Sequence, residues 1–294
     1  MTTAITVAGM GKTYHDVTAL DDVTFSVQEN TICGVLGRNG AGKTTAMQII
    51  TGHARQSSGT VDVFGRTPFE DRGAMSSMCF IKEGQRYPDE FKVTHVLASA
   101  AGLLPEWDED FAARLLDRFE LPTGRRVKKL SRGMHSMLGI IIGLASRAPI
   151  TLFDEPYLGL DAVARQMFYD ELLADYAEHP RTVVLSTHLV DEVADLLEHV
   201  VLIDRGRVLI DDCAENLRRS AVVATGPTVR IDELARGRTE LRRETLGTQS
   251  RATIRGAFTD DELARARAAG IDLEPASLQQ LMVGATGREG RHES

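Results

Sequence analysis

Only three cysteines occur in this sequence, Cys33, Cys79 and Cys213, and none has paired metal-ligand spacing with another. That pattern excludes a zinc site and suits buried or incidental thiols in a reducing cytosol, so no disulfide is expected. Basic charge is also short: 34 Lys and Arg against 42 Asp and Glu leave a formal net charge of -8. No excess of cations is available to neutralise a phosphate backbone, and no nucleic-acid partner is expected. The longest apolar run, Met137 to Ala145, falls far short of the roughly 20 residues that cross a bilayer. The start, Met1-Thr2-Thr3-Ala4, lacks the basic and apolar regions of a secretory signal. A role at a membrane therefore requires another chain to supply the span. No internal repeat is present, and 294 residues suffice for one sizeable core plus an appendage.

What the sequence does contain is Gly37-Arg38-Asn39-Gly40-Ala41-Gly42-Lys43-Thr44-Thr45, which fits G-x-x-x-x-G-K-[ST] at every fixed position. The apolar run Ile32 to Leu36 before it reads as a buried strand, and Thr45 to Ile50 after it as a helix closed by Gly52. In that context the glycines let backbone N–H groups converge on phosphates. The helix N-terminus and Lys43 add positive charge, and the Thr44 hydroxyl is placed to ligate magnesium. A nucleoside triphosphate is the expected ligand. Gly11-Lys12-Thr13 is a decoy, because Thr6 stands where the first glycine belongs and no strand-to-helix pattern surrounds it.

Upstream, Ile5 and Val7, then Val23, Phe25 and Val27, alternate with polar neighbours as half-buried antiparallel strands do. Tyr14 between them reads equally as a loop aromatic or a platform for a base. Ser57 to Gly65 reads as turn, strand and turn, and Met78 to Ile81 as a short buried strand. A polar connector follows, Lys82-Glu83-Gly84-Gln85-Arg86-Tyr87-Pro88, of the kind that carries function. From about Val93 to Ala145 the spacing is helical, as a helical insertion would be. It contains the basic cluster Arg125, Arg126, Lys128, Lys129 and then Leu130-Ser131-Arg132-Gly133-Met134.

A second constellation is the apolar strand Ile150 to Phe153 ending in Asp154 and Glu155. Ligands bind at the carboxyl ends of strands in open α/β sheets. Asp154 suits a magnesium ligand there, and Glu155 a group that orients or deprotonates water. The buried strand Thr182 to Thr187 delivers His188 by the same logic near the γ-phosphate. Val200 to Ile203 and Arg207 to Ile210 read as a closing hairpin. After Leu217 the composition shifts toward Arg and Ala. Three strands (Val222 to Ala224, Ala252 to Ile254, Ile271 to Leu273), a helix capped at Thr259 and a second, shorter helix from Ser277 make a small α+β appendage, with residues 284–294 a frayed tail.

The order of these pieces, with Gly159-Leu160-Asp161 between the acidic pair and the histidine strand, resembles the ATP-binding subunit of ABC transporters over about the first 215 residues. The resemblance implies an α/β P-loop NTPase of ABC type, residues 1–217. It would have an N-terminal antiparallel β subdomain, a helical insertion at about 85–147, and the accessory appendage at 218–283. It implies ATP and Mg2+, with Tyr14 as adenine platform, Asp154 on the metal, Glu155 as catalytic base and His188 as the switch histidine. Ser131, Arg132 and Gly133 would form the signature acting on a partner's ATP, and Asp161 an intersubunit contact. Arg132 and Met134 replace a glycine and the glutamine of the usual Leu-Ser-Gly-Gly-Gln. Glu83 stands at the connector glutamine position, with Gln85 two residues on.

The implied partners are a second ATPase subunit in a head-to-tail dimer and a separately encoded integral-membrane permease, docked on Glu83 to Tyr87 and the insertion. The protein would then sit in the cytoplasm, peripheral on the inner face of the cell membrane. The single ATPase half and the appendage look like the ATPases of bacterial exporters of antibiotics, peptides or lipids. The alternative is a soluble ABC ATPase with a regulatory or assembly role. In either case the appendage could act as a sensor or dimerisation module.

Overall fold

A computed structural model describes residues 2–289 and divides the chain into two compact units. One unit runs to His188 and adds Leu196–Asp211; the other takes Leu189–Asp195 and the chain from Asp212 onward. The composition shift after Leu217 lies inside the second unit.

In the first unit, the alternating segments form β1 (Thr3–Tyr14) and β2 (Val17–Gln28), antiparallel with Val7 opposite Phe25. β3 (Ile32–Leu36) is buried at every position and leads into α1 (Lys43–Ile50). β4 (Ser58–Val63) returns beside β1 and completes a three-stranded sheet of order β2-β1-β4. The short α2 (Arg72–Ser76) precedes β5 (Met78–Ile81). The insertion then contributes α3 (Val93–Leu103), α4 (Glu109–Arg118) and α5 (Arg132–Ala145). β6 (Ile150–Asp154), α6 (Ala162–Glu178), β7 (Thr182–Thr187), β8 (His199–Asp204) and β9 (Arg207–Cys213) finish the unit apart from the last residues of β9.

The central sheet has the order β5-β6-β7-β3-β8-β9. Its first five strands are parallel, and β3, β6 and β7 are buried throughout, as strands covered on both faces are. β8 and β9 are joined by Arg205 and Gly206, both at positive φ, 46° and 79°, the backbone of a tight hairpin turn. Cys33 and Cys79 are buried within this sheet, and burial pushes the Cys79 thiol up to about 11 and Cys33 higher still, so neither is a reactive thiolate.

A charged network ties the insertion to the sheet layer. Asp175 on α6, 5% exposed, is bonded by Arg147 and by Arg181 at 2.5 Å. Arg147 also donates to Asp108 at 2.9 and 3.1 Å, and its guanidinium lies 4.6 Å from the centre of the Phe111 ring. Removing one member of such a buried set strands the others without a counter-charge. Asp175→Ala is therefore expected to cost about 3–5 kcal/mol of stability. Urea unfolding followed by the fluorescence of Trp107, the neighbour of Asp108 and the single tryptophan, reads this directly. A midpoint equal to the wild type's would mean that the network adds nothing.

The second unit contains α7 (Val190–Val193), α8 (Ala214–Arg219), β10 (Ala221–Pro227), α9 (Thr228–Ala235), β11 (Thr239–Leu246) and β12 (Gln249–Arg255). α10 (Asp260–Ala268), β13 (Asp272–Pro275) and α11 (Leu278–Glu289) complete it. Its antiparallel sheet has the order β11-β12-β10-β13 over a core that includes Ala224, Ile231, Ala252, Ile254 and Ile271. The expected capping box is present: Glu262 N donates to Thr259 Oγ1 at 3.2 Å, and Thr259 N to Glu262 Oε2 at 2.9 Å.

Two expectations need correction here. A fourth strand, β11, joins the three anticipated; its charged sequence hides it, and pairing with β12 across a tight hairpin is what makes it a strand. The helix from Ser277 is not the shorter one and does not fray at Gly284: α11 continues to Glu289. Leu278 and Leu281 are buried, and Gly284 is packed beside Leu241, so tertiary contact extends the helix. Residues 290–294 of the expected tail lie outside the described residues.

Candidate nucleotide-binding and active site

Parallel register brings three strand ends side by side. Leu36 at the end of β3 pairs with Thr187 of β7, and Asp154 at the end of β6 pairs with Ser186. The phosphate loop, the acidic pair and His188 therefore emerge at one edge of the sheet, although they are far apart in sequence.

The loop starts at Gly37, where φ is 154° and a Cβ would stand 2.2 Å from the Ile203 carbonyl oxygen, so only glycine fits. Lys43 opens α1 and is 5% exposed. Its ammonium donates to the carbonyls of Gly37 at 2.9 Å and Arg38 at 3.2 Å and lies 3.2 Å from Glu155 Oε1. Arg38, Asn39, Gly40 and Ala41 line a cavity of about 540 Å³ together with His188 and Arg205. Thr44 is exposed and Thr45 half-buried on the first turn of the helix.

Asp154 is fully buried. Its Oδ1 accepts from Ser186 Oγ at 2.6 Å, while Oδ2 has no hydrogen-bond partner. A carboxylate oxygen held in that condition fits a cation ligand, since leaving it unmatched is costly. Among the described residues no group of three or more His, Cys, Asp or Glu is arranged to hold a metal. A divalent cation here would complete its shell with phosphate and water oxygens, the usual habit of Mg2+.

Glu155 has φ 49°, a strained backbone for a residue with a side chain, and is 6% exposed. Its Oε2 accepts from Tyr157 OH and faces His188 Nδ1 at 2.8 Å. A carboxylate only accepts, so Nδ1 carries the proton in this pair.

The remaining expected residues fall around this cluster. Glu83 and Gln85 line a second cavity, about 280 Å³, with Ser131, Arg132, His135 and Glu155. Burial lowers the pKa of His135, whose ring lies 5.2 Å from that of Tyr87. Ser131 Oγ caps α5 by accepting from Met134 N at 3.2 Å. A Cβ on Gly133 would meet the Gly159 carbonyl oxygen at 2.7 Å, so the Leu-Ser-Arg-Gly-Met segment packs against the Gly159-Leu160-Asp161 loop of its own chain. Asp161 caps α6, its Oδ1 accepting from Ala164 N at 2.8 Å. Tyr14 is 43% exposed, with the Lys12 ammonium 4.8 Å from its ring centre. Tyr157 was not anticipated; the only signal for it in the sequence is a hydroxyl-bearing aromatic two residues past the acidic pair.

The ABC transporter family profile matches residues 20–158. The doxorubicin resistance ATP-binding protein DrrA of Mycobacterium tuberculosis is 31% identical over 226 residues, which cover 74% of this chain and 68% of that protein. The Nod factor export ATP-binding protein I of Cupriavidus metallidurans is 28% identical over 313 residues, covering 99% of this chain and 100% of that one. Among solved structures, the ATP-binding subunit of an ABC transporter superposes with a TM-score of 0.66 at 25% identity, over 74% of this chain and 92% of its own. The chain belongs to the ABC transporter family, as one of its ATP-binding ATPase subunits.

Proposed function

We propose that this subunit powers export through a separately encoded permease, with two ATPase subunits closing head to tail around two ATP molecules. The observation that carries the reading is the convergence of Lys43, Asp154, Glu155 and His188 at one edge of the parallel sheet. In this reading the amides of Gly37 to Thr45 and the Lys43 ammonium hold the phosphates. Thr44 and the unpartnered Asp154 oxygen hold Mg2+, which when bound neutralises charge on the phosphate oxygens. Glu155 orients the attacking water and accepts its proton, and His188 approaches the γ-phosphate. Tyr14 stacks on adenine. Ser131, Arg132 and Gly133 face the partner's ATP, and Asp161 the partner itself.

Export is favoured by what the relatives are named for, doxorubicin resistance and Nod factor export. No helix among the described residues is long and apolar enough to cross a membrane. In the proposed arrangement another chain supplies the span, and this subunit sits peripherally on the inner face of the cell membrane. Glu83, Gln85 and the insertion are the proposed docking surface for that chain, and the second unit an accessory module. Affinity capture of the tagged chain from detergent-solubilised membranes is expected to bring down an integral-membrane protein. Recovery of ATPase with no such companion would favour the soluble regulatory role.

A further inference from the structure

Tyr157 is 3% exposed, yet it carries a hydroxyl that a core aromatic does not need. Burying that hydroxyl is unfavourable unless it is matched, and its matching is specific. A phenol offers one proton and two lone pairs. The proton goes to Glu155 Oε2, since the carboxylate only accepts. The backbone N–H of His188 donates to the phenol oxygen at 3.3 Å, and Thr187 Oγ1 lies 2.7 Å away. Burial foremost, and then the hydrogen bond to Glu155, push the phenol above its ordinary pKa, so it stays protonated. One oxygen thus bridges the segment after β6 to the end of β7.

Glu155 needs such a bridge. Its φ of 49° is held only if surrounding contacts over-determine it, and its carboxylate has three: Lys43, His188 and Tyr157. Lys43 is the group that phosphate claims, and the His188 side chain is 36% exposed. Lys43 and Tyr157 are both buried, but of the three Tyr157 alone has no part in holding nucleotide in the proposed cycle.

We propose that Tyr157 is a positioning residue for hydrolysis: its hydroxyl holds the Glu155 carboxylate and the His188 backbone in register with each other. The proposal rests on Glu155 being the base. The test is Tyr157→Phe in the full chain, which removes one oxygen and keeps the ring. The expected result is a kcat lower by about tenfold or more with KM for ATP changed by less than about twofold, because the phosphate loop is untouched while the base is misplaced. Rates are normalised to the nucleotide-binding fraction, so partial loss of folded protein does not mask the outcome. A lower thermal midpoint with unchanged kcat would mean that the hydroxyl is merely structural and would overturn the proposal. A raised kcat would do the same, since it would make Tyr157 a restraint on the base. Glu155→Gln run in parallel separates the two readings: wild-type turnover there removes the base itself, whereas an inactive Glu155→Gln beside a fully active Tyr157→Phe removes only Tyr157.

Discussion

Glu155→Gln is expected to lower ATP turnover by about 10²–10⁴-fold and to leave nucleotide binding intact. Glutamine keeps the shape of the side chain, but it cannot take a proton from water. The carboxylate also faces the Lys43 ammonium at 3.2 Å, so its neutralisation frees Lys43 for phosphate, and affinity for ATP should hold or rise. Lys43→Ala is the contrasting case. It removes the buried cation that lies against the Gly37 and Arg38 carbonyls, and nucleotide binding itself should be lost. Phosphate release and nucleotide titration distinguish the two variants. Gel filtration with ATP should also find Glu155→Gln as a dimer, because closure precedes hydrolysis in the proposed cycle. Hydrolysis by Glu155→Gln at the wild-type rate would take Glu155 out of its role.

Gly133→Asp should abolish hydrolysis and ATP-driven dimerisation while leaving the monomer's own affinity for ATP nearly unchanged. In the proposed dimer this segment stands against the γ-phosphate bound by the partner, so an added anion would oppose that charge, and the chain's own phosphate loop is untouched. Packing within the chain adds to the effect. A Cβ here stands 2.7 Å from the Gly159 carbonyl oxygen, a backbone atom that cannot rotate aside, so any side chain displaces the segment. Gly133→Ala isolates that displacement and should lose only part of the activity, whereas Gly133→Asp should lose all of it. Wild-type turnover by Gly133→Asp would show that this segment does not complete the partner's site.

The sequence by itself determined the chemistry-bearing parts and the local structure beneath them. A glycine pattern between a buried apolar run and a helix, or two acids after another such run, is set by backbone sterics and short-range periodicity, and both survive translation into the fold. The same holds for the capping box at Thr259 and Glu262. Only the tertiary structure decided what depends on strands meeting across long stretches of chain. Parallel register set Ser186 beside Asp154, and the packed strand ends set Lys43 against Glu155 and the Tyr157 hydroxyl between Glu155 and His188, none of which a linear pattern encodes. Tertiary contact likewise made a strand of the charged segment Thr239–Leu246, carried α11 to Glu289 and enrolled Leu189–Asp195 in the second unit, because burial against a distant neighbour outweighs local propensity wherever the local signal is weak.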